Sequence, residues 1–163
     1  MILRNPDELK GILPAGRRLL GVDAGSKTLG LAVSDPALKV ASPLRTLARR
    51  KFTPDAQELG RVCREYGVGG LVIGLPLNMD GSEGPMAQSV IQFARNLTEQ
   101  AHLWGGPMPI LLWDERLSTW AVSQMMLEHD VSRRKRDQAV DRMAAAWILQ
   151  GAMDAMQAGP ASF

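Results

Sequence analysis

The sequence predicts an α/β domain, a mixed sheet with helices packed on its faces. Three observations carry that reading. Between Arg18 and Asp35, two apolar runs are separated by a tight turn at Gly25, the pattern of an antiparallel hairpin. Gly69–Leu75 and Pro109–Trp113 are continuously apolar, as in strands buried on both faces. Segments of helical periodicity lie between and after them. Hairpin strands followed by alternating helix and strand exclude a simple doubly wound array.

Residues 1–16 read as a leader, with Pro6 placed to start a short helix. The main domain is expected over 17–157 and a short tail over 158–163. After the hairpin, a third strand from Val40 to Leu47 is interrupted by Pro43, which suits a sheet edge. Pro54 to Tyr66 is helical, with Leu59, Val62 and Cys63 on one stripe. The strand 69–75 leads into Pro76–Gly84, a loop dense in turn residues, and Pro85 opens a helix to about Gln100. The strand 109–113 ends at Asp114-Glu115, and Ser118 caps a helix to about His129. The run Arg133-Arg134-Lys135-Arg136 reads as a solvated basic loop, followed by a last helix from Asp137 to Met156.

At 163 residues the chain can bury one proper core. A single cysteine, Cys63, excludes an internal disulfide framework and a multi-cysteine zinc site. The net charge of +2 does not by itself identify a nucleic-acid partner. No run reaches membrane-spanning length and no signal pattern opens the chain, so a cytoplasmic location without membrane association is expected.

The carboxylates carry the chemistry. Asp23 closes the first hairpin strand, on the face shared by Leu19 and Gly21. Asp114 and Glu115 stand at the carboxyl end of a buried strand, where open α/β sheets place their sites. Asp141 shares a stripe of the last helix with Ala144, Ala145, Ile148 and Ala152, which should face the sheet. A buried aspartate costs several kcal/mol unless paired or metal-bound. With only His102 and His129 as histidines, converging carboxylates describe a hard-cation site for Mg²⁺ or Mn²⁺. The plain alternatives are a turn-capping Asp23, an Asp114–Arg116 ion pair, and an Asp141 that caps its helix or pairs with Arg136 or Arg142.

Four blocks in order make the chain resemble the YqgF/RuvX family of RNase H-like proteins. They are Gly21-Val22-Asp23-Ala24-Gly25 with Gly30–Asp35, then Val72–Gly84, then Asp114-Glu115-Arg116-Leu117-Ser118-Thr119, and finally Asp141 before Ala144-Ala145 and Ile148-Leu149-Gln150. The resemblance covers about 18–156. It implies an RNase H-like fold with a five-stranded mixed sheet and helices on both faces. It also implies a metal-dependent nuclease, with Asp23, Glu115 and Asp141 as catalytic metal ligands and Asn78 beside the site. Alternation points Asp114 and Glu115 to opposite faces, so one of the two reaches the metal.

On that resemblance the chain hydrolyses phosphodiester bonds, with Mg²⁺ or Mn²⁺ as cofactor and nucleic acid as partner. Processing the 5′ end of pre-16S rRNA is the favoured task; the rival is resolving Holliday junctions, for which a homodimer is expected. Lys27 and Arg116 are candidate phosphate contacts. Arg133, Arg134, Lys135 and Arg136, with the cluster Arg49-Arg50-Lys51, would hold the nucleic-acid backbone. An actin-like or Hsp70-like ATPase opens on a similar hairpin, but needs two such domains. A non-catalytic binding module would have no use for three acids. Trp113 and Trp147 are expected in the core, Trp120 is a candidate base-stacking residue, and Met125 and Met126 read as core or interface filler.

Overall fold

The computed structural model describes residues 1–116 and 133–158, the side chains of 133–141 and 158 excepted. Its strands are β1 (Ile2–Leu3), β2 (Arg18–Ala24), β3 (Thr28–Ser34), β4 (Ala41–Ala48), β5 (Val68–Leu75) and β6 (Ile110–Asp114). They form one sheet in the order β1-β6-β5-β2-β3-β4. β2, β5, β6 and β1 are parallel neighbours, while β3 and β4 return antiparallel on the other side of β2. The mixed α/β architecture is the expected one, with one strand more than five.

That sixth strand comes from the segment read as a leader. Ile2 and Leu3 pair with Ile110 and Leu111, and Leu9 of α1 (Pro6–Ile12) is fully buried. Two residues of strand carry no periodicity, which is why the sequence pattern hides them. Pro43 does lie on the edge strand, where the β3–β4 register shifts between Leu31 and Ala32. A proline lacking its N–H is tolerated at such an irregularity.

Two layers of helix cover the sheet. On one face, α2 (Phe52–Tyr66), α3 (Pro85–Thr98) and α4 (Ala101–Trp104) pack residues such as Leu59, Val62, Phe93 and Leu97 against Leu20, Val22, Leu71, Ile73, Ile110 and Leu112. On the other, α5 (Arg133–Ala158) lays Ala145, Ile148, Leu149 and Ala152 on Leu19, Val72 and Leu111. The alanine stripe brings α5 close to the sheet. A Cβ added at Gly21 would lie 2.8 Å from the Ala145 carbonyl oxygen and 2.8 Å from Leu149 Cβ, so only glycine permits this approach.

Three expectations need correction. The basic run 133–136 is helical rather than a loop, because α5 begins at Arg133; arginine and lysine are good helix formers. Trp147 is not core: it is 45% exposed, on the outward side of α5, while Ile148 and Leu149 are buried. The helix after Pro85 stops at Thr98, and α4 follows as a separate turn ended by Gly105 in the left-handed region. The helix predicted from Ser118, with Trp120, Met125 and Met126, lies outside the described residues. Among the described residues, no helix is long and apolar enough to cross a membrane.

Candidate functional site

Strand alternation and register converge on one place. Leu19 and Gly21 of β2 face α5, and alternation puts Asp23 on that side. Val72 and Gly74 of β5 do the same. Asp114 ends β6, and Glu115 follows with its side chain over Gly74 beside Ile148 of α5. The pairings Val22↔Ile73 and Leu75↔Asp114 place Gly74 between Asp23 and Glu115. A Cβ at Gly74 would run into Glu115 Oε2 and Ile148 Cδ1, so this glycine is the floor of the site. In the sequence it is one residue of an apolar run, and its only signal is that a glycine sits inside a buried strand.

The electrostatics of the acid pair are unfavourable without a further group. Glu115 Oε2 is buried and has no hydrogen-bond partner among the described residues. Burial, and then the negative charges of Asp23 and Asp114, push the Glu115 carboxyl up to about 7. An oxygen that is buried, unpartnered and near a second carboxylate suits a hard divalent cation, which takes oxygen ligands. The residues present therefore fit Mg²⁺ or Mn²⁺. Among the described residues, no three acidic, histidine or cysteine side chains gather into a cation cage. Asp141, the predicted third acid, belongs to the backbone of α5 four residues before Ala145, and its side chain lies outside the described residues.

Asp114 has a different role. Its carboxylate accepts from Arg116 Nη2 at 2.6 Å, from Nε at 2.9 Å and from the Arg116 backbone N–H at 3.0 Å. These bonds hold it below the usual carboxylate range. Arg116 Nη1 also donates to the Met79 carbonyl at 3.3 Å, tying the loop 76–84 to the end of β6. The predicted ion pair is thus present, and it braces the loop. Asn78 is exposed, yet its amide is engaged inside that loop, donating to Ser82 Oγ at 2.9 Å. Ser82 in turn donates from its backbone N–H to Asp80 at 2.9 Å.

Lys27 is exposed at the hairpin turn, and its carbonyl accepts from Arg49 N at 2.8 Å. Arg49 is taken up internally: Nη1 donates to the Gly25 carbonyl at 2.7 Å, and the guanidinium lies 4.8 Å from the centre of the Phe93 ring. It braces the turn beside Asp23, so this member of the Arg49-Arg50-Lys51 cluster is engaged within the fold. Arg133, Arg134, Lys135 and Arg136 occupy the first turns of α5, with side chains outside the described residues.

Comparisons with known proteins bear on this geometry. The sequence family described as RuvX, Holliday junction resolvase, matches residues 17–155. A Rhodospirillum centenum protein named "Putative pre-16S rRNA nuclease" is 56% identical over 162 residues, covering 99% of this chain and 86% of that one. One of the same name from Paramagnetospirillum magneticum is 54% identical over 149 residues, covering 91% of this chain and 93% of that one. Among solved structures, T. thermophilus RuvC in complex with Holliday junction substrate aligns with a TM-score of 0.55 at 16% identity, over 88% of this chain and 97% of that one. At that identity the likeness is one of fold.

Proposed function

The chain belongs to the RuvX family, and from that premise we propose that it is a nuclease hydrolysing phosphodiester bonds with Mg²⁺ or Mn²⁺ held by Asp23, Glu115 and Asp141. The observation that carries this reading is Glu115 Oε2, buried without a partner across Gly74 from Asp23. Held by these acids, a divalent ion would supply activation of water and neutralisation of charge at the scissile phosphate. The protein's own part is placement. β2 presents Asp23 and the residue after β6 presents Glu115 on one face, Gly74 leaves room for the Glu115 carboxylate, and α5, which packs closely on Gly21, would bring in Asp141. Arg116, oriented by Asp114, holds the loop 76–84 at the rim, and through it Asn78. Lys27 and the basic first turns of α5, Arg133, Arg134, Lys135 and Arg136, would hold the phosphate backbone without reading sequence.

The favoured substrate is the 5′ region of pre-16S rRNA, in line with the names of relatives about half identical over nearly the whole chain. That task would place the protein in the cytoplasm. A second reading, cleavage of four-way DNA junctions, is favoured by the family description and the RuvC-like fold. It calls for a homodimer, since two strands must be cut symmetrically. The test is cleavage of a pre-16S leader RNA and a four-way junction, each with Mn²⁺ and with Mg²⁺, by wild type and Asp23→Asn. Cutting lost in the variant supports the acid site, and the substrate cut faster selects the task. Equal cutting by the variant would overturn the site.

A further inference from the structure

The matched family region begins at residue 17, so residues 1–16 lie outside it. In the fold they are anchored twice. Ile2 and Leu3 pair with Ile110 and Leu111, and Leu9 of α1 is fully buried. Because β1 runs parallel to β6, the chain leaves it at the acid end of the sheet, with Arg4 next in register to Leu112. There Arg4 Nη1 lies 3.1 Å from Glu83 Oε1, at the end of the loop 76–84 and just before α3. Among the described residues, Glu83 pairs with no other cation. The next residue, Gly84, passes so close to Asn78 that a Cβ there would lie 3.2 Å from both Nδ2 and Oδ1. The backbone at 84 is therefore a wall against which the Asn78 amide rests. From the other side, Arg116 Nη1 donates to the Met79 carbonyl at 3.3 Å. Between these two grips the loop closes on itself. Asn78 N–H donates to the Ser82 carbonyl at 2.9 Å, and Gly81 N–H to the Asn78 carbonyl at 2.8 Å.

We propose that Arg4 is a positioning residue for the site: fixed by β1 and α1, it holds Glu83 and, through the wall at Gly84, keeps the Asn78 amide in place for substrate. Its consequence for cleavage rests on the nuclease reading; the brace itself does not. The backbone of Arg4 is already ordered on both sides, so the pair forms with less loss of chain freedom than one between two mobile segments. Both side chains are partly exposed, at 52% and 36%, and such a pair adds little to global stability. Its loss should therefore show in the loop and not in the melt.

The experiment compares wild type with Arg4→Gln, Glu83→Gln and the charge swap that joins Arg4→Glu to Glu83→Arg. Amide exchange at Asn78, Gly81 and Ser82 reports the loop. Steady-state cleavage with Mn²⁺, on whichever of the leader RNA and the four-way junction the wild type cuts, reports the site. Arg61→Gln, which removes an exposed pair with Glu58 on α2, is the control. Each single variant should exchange the three amides about two- to fivefold faster and raise KM by a similar factor, with kcat and Tm unchanged. The swap should restore both, and the control should alter neither. At 1 M NaCl the difference in exchange should vanish, because salt screens the pair. Unchanged exchange in folded Arg4→Gln, or faster exchange with unchanged KM, would overturn the proposal. If the wild type cuts neither substrate, the nuclease reading falls instead, and exchange alone decides whether Arg4 holds the loop.

Discussion

Replacing Gly21 by alanine should damage the site without touching an acid. The new Cβ would meet the Ala145 carbonyl oxygen and Leu149 Cβ, both at 2.8 Å. Neither is the free end of a flexible side chain, so α5 must lift from β2. Overpacking of this kind costs about 1–3 kcal/mol, and for a chain of this size each kcal/mol lowers Tm by about 2–4 °C. Asp141 lies on the same helix four residues before Ala145 and moves with it. A misplacement of about 1 Å at a catalytic group is enough to cost about a hundredfold in rate. The assay pairs a thermal melt with Mn²⁺-dependent cleavage. Gly11→Ala is the control: a Cβ at that helical position meets nothing within 4 Å, and it should stabilise by about 0.5–1 kcal/mol with unchanged activity. If Gly21→Ala keeps both wild-type stability and wild-type activity, close packing of α5 does not position the site.

Three further outcomes follow from the same geometry. Metal-free Glu115→Gln should be more stable than wild type above pH 7, because the buried carboxyl, raised to about 7 from its ordinary 4.5, resists charging. A raised folded-state value means that wild type is favoured while protonated and loses stability as pH rises from 4.5 through 7; the gap, on the order of 3 kcal/mol, should close towards pH 4 in urea melts. Arg116→Lys should free the loop 76–84, since lysine cannot repeat the Nε and Nη2 bonds to Asp114 while also reaching Met79. Faster amide exchange at Asn78–Ser82 and a raised KM are expected, and unchanged exchange would contradict the bracing role. Cys63, buried with its thiol pushed up to about 12 by desolvation, should react with iodoacetamide only on unfolding; rapid alkylation of the native protein would contradict its core position.

Much of the architecture is legible in the sequence because its signals are local. The turn at Gly25 and the apolar runs around it define the β2–β3 hairpin, and Pro43 marks the edge strand. Strand alternation alone separates Asp114 from Glu115, and the two do differ: one is paired with Arg116, the other is buried beside Asp23's charge. What escapes depends on contacts between distant segments. Gly74 matters because Glu115 and Ile148 arrive over it from elsewhere in the chain. Arg49 looks like a free surface cation until the fold brings Gly25 and Phe93 beside it. β1 exists only because β6 offers Ile2 and Leu3 an edge. The start of α5 is hidden because a dense basic run suits a solvated loop, although its residues also favour helix.

The proposed function rests on Asp23 and Glu115 holding a divalent cation. The decisive measurement is calorimetric titration of the metal-free protein with Mn²⁺, beside Asp23→Asn and Glu115→Gln. Saturable binding to the wild type is expected, abolished or weakened by at least about tenfold in each variant while both remain folded. Wild-type affinity retained in both variants would contradict it and move the metal away from the acid pair.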